Sequence, residues 1–173
     1  SVRMRDMIEQ MLQLARYDEE MVFNREATDL VTVIEQTLRS MKQAYHREFN
    51  LIIESTFETH IYNTDEKKLK QLLFILLDNA RKYSEDEIDI TITEAPSLIK
   101  ISIIDRGIGI PSDSIPKVFD RFYRVDEARN RKTGGTGLGL SLAKEMAEGL
   151  GIKLDINSVL HVGTTITLEL PKK

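Results

Sequence analysis

The sequence contains neither cysteine nor tryptophan, and only three histidines occur among its 173 residues. Without cysteine the chain can form no disulfide and no thiolate metal site, and the scattered histidines, His46, His60 and His161, show no metal-ligand spacing. No apolar run approaches the roughly 20 residues of a membrane-spanning helix, and no signal peptide opens the chain. We therefore expect a soluble, cytoplasmic segment, whose parent protein could still be anchored in a membrane.

An excess of positive charge is also missing. The chain has 24 basic and 28 acidic residues, which gives a net charge of −4. Nonspecific binding to nucleic acid needs a basic field, so we expect no nucleic-acid partner. With 41% hydrophobic residues, the chain is expected to form one main domain with a core and a short appended element.

Glycine is concentrated in one place, where Gly134, Gly135, Gly137 and Gly139 give four glycines in six positions. Such a backbone can take positive φ and can lie directly against a phosphate chain. A helix is predicted over residues 141–147, and its N-terminus would favour the same anion. The stretch therefore predicts a phosphate-binding loop, with a tight loop-to-helix junction as the alternative.

Two common phosphate loops do not match this stretch. Residues 129–133 are polar and basic, whereas a dinucleotide-binding turn follows a hydrophobic strand. The stretch ends in Gly-Leu-Gly-Leu and lacks the Gly-Lys-Ser/Thr of a P-loop.

The first 20 residues predict a helix with apolar positions close to a heptad seam. We expect it to pack against a partner helix, either upstream in the full protein or in a second chain. The alternative is an ordinary amphipathic helix lying on its own domain. A domain boundary near Glu20 divides the chain into residues 1–20 and 21–173.

Beyond that boundary, helical and alternating patterns predict an α/β fold. Thr28 or Asp29 is expected to cap the first helix of this part, and Thr64 or Asp65 the second. The predicted helices are residues 30–46 and 65–83 and a short helical turn at 112–119, and the predicted strands are 23–27, 50–54, 60–63, 87–94, 99–105, 152–157 and 164–170.

Three polar residues end the predicted helix 65–83, next to its apolar stripe. Asn79, Lys82 and Tyr83 share one helical face. A buried amide costs free energy without a partner, so Asn79 either bonds a nearby carbonyl or water or has a specific role. An amide oxygen for Mg²⁺, an ammonium for phosphate and an aromatic hydroxyl together suit a nucleotide.

Asp105 ends a predicted strand and is followed by Gly107 and Gly109. A carboxylate in this position could accept a hydrogen bond from an exocyclic amine, and an Asx-type turn is the alternative. Residues 119–124 combine aromatic side chains with arginines, and the charged residues 125–132 predict a lid.

Four stretches, residues 78–84, 105–109, 119–124 and 134–140, resemble in order the N, G1, F and G2 boxes of the ATP-binding catalytic domain of bacterial sensor histidine kinases. That catalytic domain belongs to a superfamily that also includes gyrase, the ninety-kilodalton heat-shock chaperones and mismatch-repair ATPases. The resemblance covers about residues 23–170. Residues 4–20 are similar to the end of the second helix of the dimerisation and histidine-phosphotransfer hairpin.

The resemblance implies a two-layer α/β sandwich of the Bergerat type, with a mixed sheet, helices on one face and ATP under the lid. Asn79 would ligate Mg²⁺, while Lys82 and Tyr83 would contact the phosphate and ribose region. Asp105 would accept from the adenine amine. The other positions that the resemblance assigns to ATP are Gly107 and Gly109, which would leave room for the ring, Ile110, Phe122, the charge-compensating Arg124, and the phosphate-cradling Gly135, Thr136, Gly137, Leu138 and Gly139.

Among the departures from the family pattern are those at Ile75 and His161. Ile75 stands where a second Asn often ligates the metal and where ATP-hydrolysing members have a Glu, so we expect looser metal binding and slow hydrolysis. His161 replaces a common glycine and is expected to be an exposed turn residue.

The resemblance implies phosphoryl transfer from MgATP to a histidine that this chain lacks. The implied partners are its own dimerisation and phosphoacceptor domain, a response regulator receiver domain and a second copy in a homodimer. The alternatives are a superfamily ATPase and a nucleotide-dependent conformational switch without kinase activity.

Overall fold

The computed structural model describes residues 22–55, 57–123 and 139–172. The predicted helix over residues 1–20, the predicted lid and residues 134–138 of the glycine-rich stretch lie outside this part. In chain order the described elements are β1 (Glu26–Asp29), α1 (Leu30–Tyr45), β2 (Phe49–Ile53), β3 (Ile61–Thr64), α2 (Glu66–Lys82), β4 (Ile88–Glu94), β5 (Leu98–Asp105), a 3₁₀ turn (Ile115–Lys117), α3 (Gly139–Leu150), β6 (Lys153–Val159) and β7 (Gly163–Pro171).

Five strands form one mixed sheet in the order β2-β4-β5-β7-β6, in which β2 and β4 are parallel and the other pairs are antiparallel. Ile99, Ile101 and Ile103 of β5 are buried, whereas Lys100 on the other face is exposed, so one sheet face covers the core. The helices supply the other half of this core. The predicted α/β sandwich, with a mixed sheet and helices on one face, is confirmed. Strands β1 and β3 form a separate antiparallel pair.

Both helix caps that the sequence left open are aspartates. Asp29 Oδ1 accepts from the Thr32 N–H at 3.1 Å, and Asp65 Oδ1 accepts from the Lys68 N–H at 3.0 Å. Each carboxylate satisfies a backbone donor that a helix leaves free in its first turn.

The apolar stripes of the helices are buried as predicted, with one exception. Tyr45 at the end of α1 is exposed, and its ring lies 3.8 Å from the Arg81 guanidinium carbon. Helix α2 buries its apolar stripe, which consists of Leu69, Leu72, Leu73, Leu76 and Ala80, and also Leu77. In α3, Leu142 and Met146 are buried.

The first strand and the helical turn before the predicted lid differ most clearly from the sequence-based expectation. The first strand is Glu26–Asp29, shifted toward the helix from the predicted residues 23–27, because its partners in β3 are residues 61–64. The predicted helical turn over residues 112–119 is a single 3₁₀ turn of three residues, with a proline in its first turn. No helix in the described ranges is long and apolar enough to cross a membrane.

Candidate functional site

The C-terminal end of α2 carries the polar residues singled out in the sequence. Asn79 is half-buried, and its side-chain amide makes no hydrogen bond to another described residue. Lys82 Nζ lies 3.1 Å from Asp78 Oδ2, and the lysine side chain is 11% exposed. Asp78 Oδ1 accepts from Arg81 Nη2 at 2.7 Å and from Arg81 Nε at 3.1 Å. Asp78 therefore joins two cations and fixes the ammonium of Lys82 one turn beyond itself.

Asp105 is the last residue of β5 and is buried, with 7% exposure. Its Oδ1 accepts from the Gly107 N–H at 3.0 Å and the Thr164 N–H at 3.3 Å. The bond from Gly107 is the Asx-type hydrogen bond expected as an alternative. Burial raises the pKa of Asp105 to about 6, although these two N–H donors and the Arg47 charge lower it. Because Oδ2 accepts no hydrogen bond from a described residue, it is the oxygen that a ligand can use.

Backbone contacts join the end of α2 to the loop that follows Asp105. The Ile108 N–H donates to the Tyr83 carbonyl at 3.1 Å. A Cβ built on Gly107 would lie 1.9 Å from the same carbonyl oxygen and 2.9 Å from Ser84 Cβ. Only glycine permits this approach, so the two motifs are in direct contact.

The same loop is held on its other side by the β6–β7 turn. Gly109 has φ +69°, and a Cβ there would lie 2.1 Å from the Val159 carbonyl oxygen. His161 is an exposed turn residue at φ 64°, as expected, and its N–H donates to the Ile108 carbonyl at 2.7 Å. At Gly107 and Gly109 the absent side chain is thus required by packing of the chain on itself, in addition to the room for a ring that the resemblance implies.

Ile110 leaves this loop toward the turn and donates its N–H to Ser158 Oγ at 2.8 Å. It borders an open groove of about 640 Å³, whose other lining residues are Pro111, Ser112, Asp113, Ser158, Val159 and Leu160. Neither Asn79 nor Asp105 lines this groove, so the groove is separate from the junction between α2 and the β5 loop.

The first turn of α3 lies beside α2. A Cβ on Gly139, the first residue of α3, would lie 3.8 Å from Ile75 Cγ2. Ile75 is one turn before Asn79 in α2. Helix α3, which follows the glycine-rich stretch, therefore starts next to the polar end of α2. The other predicted site residues on this side lie outside the described residues: Arg124, Gly135, Thr136, Gly137 and Leu138.

The segment that leads toward the predicted lid is attached to α3. Arg121 Nη2 lies 2.7 Å from Glu145 Oε1, and Lys144 Nζ lies 5.2 Å from the Phe119 ring centroid. Phe122 is 50% exposed at φ 65°. The structure therefore places Phe122 at the surface. Its neighbours Phe119 and Arg121 are held against α3 by the two contacts just described.

Sequence patterns missed two residues of this region, Thr164 and Arg47. Thr164 is the register partner of Asp105 across β5 and β7, and it is buried. Arg47 donates to the end of α2 from the connection between α1 and β2. Both contacts depend on strand pairing and chain packing, for which the sequence around either residue carries no local signal.

Among the described residues no group of three or more His, Asp or Glu side chains could hold a metal ion. Magnesium keeps several waters and often takes only one or two protein ligands together with substrate phosphates. The half-buried amide of Asn79, which has no described partner, fits the role of a single protein ligand.

A family model described as "Histidine kinase-, DNA gyrase B-, and HSP90-like ATPase" matches residues 64–173. The chain belongs to this family. The part of the chain that matches this ATPase family includes α2, the loop after β5 and the glycine-rich stretch. The resemblance inferred from the four motifs is therefore confirmed.

The relatives of this ATPase domain include sensor histidine kinases. The chain is 40% identical over 173 residues to sensor histidine kinase YkoH of Bacillus subtilis (strain 168), matching all of this chain and 38% of YkoH. It is also 40% identical over 179 residues to WalK of the same organism, matching 99% of this chain and 29% of WalK. The chain thus spans about a third of each relative.

The structure is similar to that of the mycobacterial sensor histidine kinase MprB, with a TM-score of 0.71 and 26% identity. The match covers 86% of this chain and 97% of the MprB chain. The ATPase domain accordingly has the same fold as a solved kinase of this class.

Proposed function

We propose that this chain binds MgATP and donates the γ-phosphoryl group to a histidine on a dimerisation domain in two-component signalling. The observation that supports this most directly is the contact of Gly107 and Ile108 with Tyr83. It brings the polar end of α2 next to the buried carboxylate of Asp105. A single bound nucleotide would therefore contact both groups.

Asp105 is proposed to recognise adenine. Its Oδ1 is occupied by two backbone donors, and Oδ2 remains to accept a hydrogen bond from the exocyclic amine. Around its pKa of about 6 the carboxyl changes from a donor to an acceptor, so at neutral pH it is mainly an acceptor. Gly107, Gly109 and Ile110 form the loop that the ring would lie against, and Tyr83 would contact the ribose or phosphates.

The polar end of α2 is proposed to hold the metal and the phosphates. A magnesium ion there neutralises charge on the phosphate oxygens. Asn79 would supply its amide oxygen as the protein ligand. Lys82, held 3.1 Å from Asp78, would share its ammonium between that carboxylate and a phosphate oxygen. The residues proposed to complete the phosphate side are Phe122, Arg124, Gly135, Thr136, Gly137, Leu138 and Gly139.

The chain is proposed to position the phosphoryl donor without supplying a nucleophile or a base. Ile75 occupies the position of α2 one turn before Asn79 and packs against the core. An aliphatic side chain cannot take a proton from water, so hydrolysis should be slow. The rate of phosphoryl transfer would then depend on how closely the acceptor histidine approaches the γ-phosphate.

The acceptor and the signalling partners are proposed to lie outside the catalytic domain, which spans residues 21–173. Residues 1–20 would be the end of the dimerisation and phosphotransfer hairpin, whose acceptor histidine is not in this chain. The full protein would form a homodimer, act on a response regulator receiver domain and place this domain at the cytoplasmic side of a membrane-anchored sensor.

Calorimetry with MgATP tests the binding step. Asn79→Ala should weaken MgATP binding at least about tenfold, because the one proposed protein ligand to the metal is lost. Asn63→Ala, on the exposed side of β3, removes an equivalent amide away from the site and should leave the affinity unchanged. If the wild-type chain released no heat with millimolar MgATP, the proposal would fail.

Transfer is tested by adding a separately prepared dimerisation hairpin that carries its acceptor histidine. Labelled phosphate should appear on the hairpin with wild-type chain and be lost with Asn79→Ala. The isolated chain should neither label itself nor turn ATP over appreciably. Binding without transfer would favour the conformational switch, and rapid ATP turnover would favour the ATPase.

A further inference from the structure

We infer that Arg47 is a positioning residue for the nucleotide site, because its guanidinium fixes the end of α2 in place. The inference rests on the proposed function for its effect on nucleotide, although its structural part can be tested separately. Arg47 belongs to none of the four motifs and reaches the site from the connection between α1 and β2.

The Arg47 guanidinium donates four hydrogen bonds to one short stretch of chain. Nη1 donates to the carbonyls of Arg81 at 3.1 Å and Ser84 at 3.0 Å. Nη2 donates to Ser84 Oγ at 3.0 Å and to the Asp86 carbonyl at 2.5 Å. Arg47 is half-buried, so these bonds are partly shielded from water. A planar guanidinium is suited to hold several acceptors at once, and an ammonium is not.

These bonds replace the usual way in which a helix ends. The last carbonyls of a helix lack partners, and a glycine in the left-handed conformation commonly satisfies them. Helix α2 has no such glycine, since its C-cap is Tyr83 at φ −110°. Ser84 Oγ donates to the Ala80 carbonyl at 2.6 Å, and Arg47 takes the Arg81 carbonyl. The helix end therefore depends on Arg47 and Ser84.

The residues fixed in this way are those proposed to bind the nucleotide. Asn79, Lys82 and Tyr83 all lie in the turn that Arg47 holds. The Tyr83 carbonyl is also the acceptor for Ile108 and the neighbour of Gly107. If the turn frays, both the amide of Asn79 and the docking of the β5 loop lose their fixed positions. The Arg47 charge also lowers the pKa of Asp105, against the effect of burial.

The test compares Arg47→Ala with Arg47→Lys and with Arg39→Ala. Arg39 lies on the exposed side of α1, so its loss makes the same charge change without a contact to α2. Hydrogen exchange is followed at the Ile108 amide, and MgATP affinity is measured by calorimetry at a temperature where each variant is folded. Both measurements on Arg47→Ala are repeated with millimolar guanidinium ion added.

We expect Arg47→Ala to exchange the Ile108 amide faster and to bind MgATP about tenfold more weakly, since carbonyls are left without donors. Arg47→Lys should recover only part of the affinity, and Arg39→Ala should match wild type. Free guanidinium should restore affinity to Arg47→Ala alone, which a general loss of stability would not allow.

Unchanged MgATP affinity in folded Arg47→Ala, or no rescue by guanidinium, would overturn the inference. If Arg47→Ala does not fold, Arg47→Lys carries the same comparison. Absence of MgATP binding by wild type would instead refute the proposed function. In that case faster exchange at Ile108 in Arg47→Ala would still support the structural role, and unchanged exchange would refute it.

Discussion

Asp105 uses its two carboxylate oxygens for different purposes. Oδ1 accepts two backbone N–H groups, one from its own loop and one from the neighbouring strand β7. Oδ2 has no described partner. The hydrogen bonds to Oδ1 therefore fix the orientation of the carboxylate. Oδ2 is thereby held in a fixed position, where it can accept a hydrogen bond from a ligand. This division gives a physical reason for a carboxylate instead of an amide at this position.

Asp105→Asn should shift the preference for the base away from adenine. Two N–H donors keep the amide oxygen at the Oδ1 position, so the NH₂ group replaces Oδ2 and meets the adenine amine donor to donor. We expect MgATP affinity to fall about tenfold to a hundredfold. Affinity for inosine triphosphate, which carries a carbonyl at that ring position, should fall less or rise. Competition calorimetry with both nucleotides measures the ratio, and an unchanged ratio would contradict adenine recognition by Asp105.

The raised pKa of Asp105 also predicts how stability depends on pH. The carboxyl has a pKa of about 6 in the folded chain, against 3.8 as its ordinary value. Between these values the folded state binds more protons than the unfolded state, so stability should fall as pH rises from about 4 to 6. Above pH 6 the cost stays constant, at up to about 3 kcal/mol.

Asp105→Asn removes this titration. Urea unfolding at a series of pH values should show the decline in wild type and a flatter curve for the variant, which should be the more stable of the two at pH 7. Parallel curves for the two proteins between pH 4 and 6 would refute the assignment to Asp105.

At the scale of elements, apolar periodicity predicts all three described helices, because a 3.6-residue stripe is a local property. The antiparallel pairing of β4 with β5 was also predictable, since the two strands are adjacent in the chain. The parallel pairing of β2 with β4 and the pairing of β1 with β3 were not. These pairs join segments separated by a helix or more, and their register is decided by packing.

The candidate site divides in the same way. Three site residues stand out in the sequence because each is a polar group that interrupts or ends an apolar pattern: Asn79, Lys82 and Asp105. Thr164 and Arg47 do not stand out, because each acts on another element through contacts that only the folded chain creates. The motif order predicted that α2 and the β5 loop meet, but not that glycine at position 107 is required by the Tyr83 carbonyl.

Glu94, at the end of β4, is a junction between elements. Its Oε1 accepts from the N–H groups of Thr59 at 2.7 Å and Glu58 at 3.1 Å, and Oε2 lies 2.7 Å from Lys172 Nζ. The β4–β5 hairpin is thereby tied to the loop before β3 and to the chain beyond β7. The Lys172 hydrogen bond, followed by the backbone donor of Thr59, lowers the pKa of Glu94 to about 2.

Glu94→Gln should remove an acid-sensitive part of the stability. Because the folded pKa is lowered, the stabilisation by Glu94 is present above its ordinary pKa of 4.5 and is lost as pH falls toward about 2. Wild type should therefore lose more stability than Glu94→Gln over this range, as followed by urea unfolding. Glu35→Gln on the exposed side of α1 is the control, and equal acid sensitivity of wild type and Glu94→Gln would refute the role.

At the scale of the whole molecule, the two ends of α2 have separate roles. The 17 residues of this helix place its ends about 25 Å apart. The C-terminal end carries the candidate site. At the N-terminal end Asp65 Oδ2 accepts from the Asn24 N–H at 2.9 Å, while Lys68 Nζ lies 5.5 Å from the Phe23 ring centroid. The segment that would connect to the proposed dimerisation helix is thus fastened far from the candidate site.

Asp65→Ser should separate the two functions of this carboxylate. Serine can still cap α2 through the Lys68 N–H, but it has no second oxygen for Asn24. We expect a loss of about 1 kcal/mol in unfolding free energy and faster exchange of the Asn24 amide. MgATP affinity should stay unchanged, because the site lies at the other end of the helix.

Asp29→Ser is the matched control, since Asp29 caps α1 through the Thr32 N–H and its side chain makes no hydrogen bond to a distant described segment. The loss of stability in Asp65→Ser should exceed that in Asp29→Ser, because only Asp65 also holds the Asn24 amide. Equal losses would mean that the Asn24 bond contributes nothing. A fall in MgATP affinity in Asp65→Ser would mean that the two ends of α2 are coupled, contrary to the separation expected from their distance.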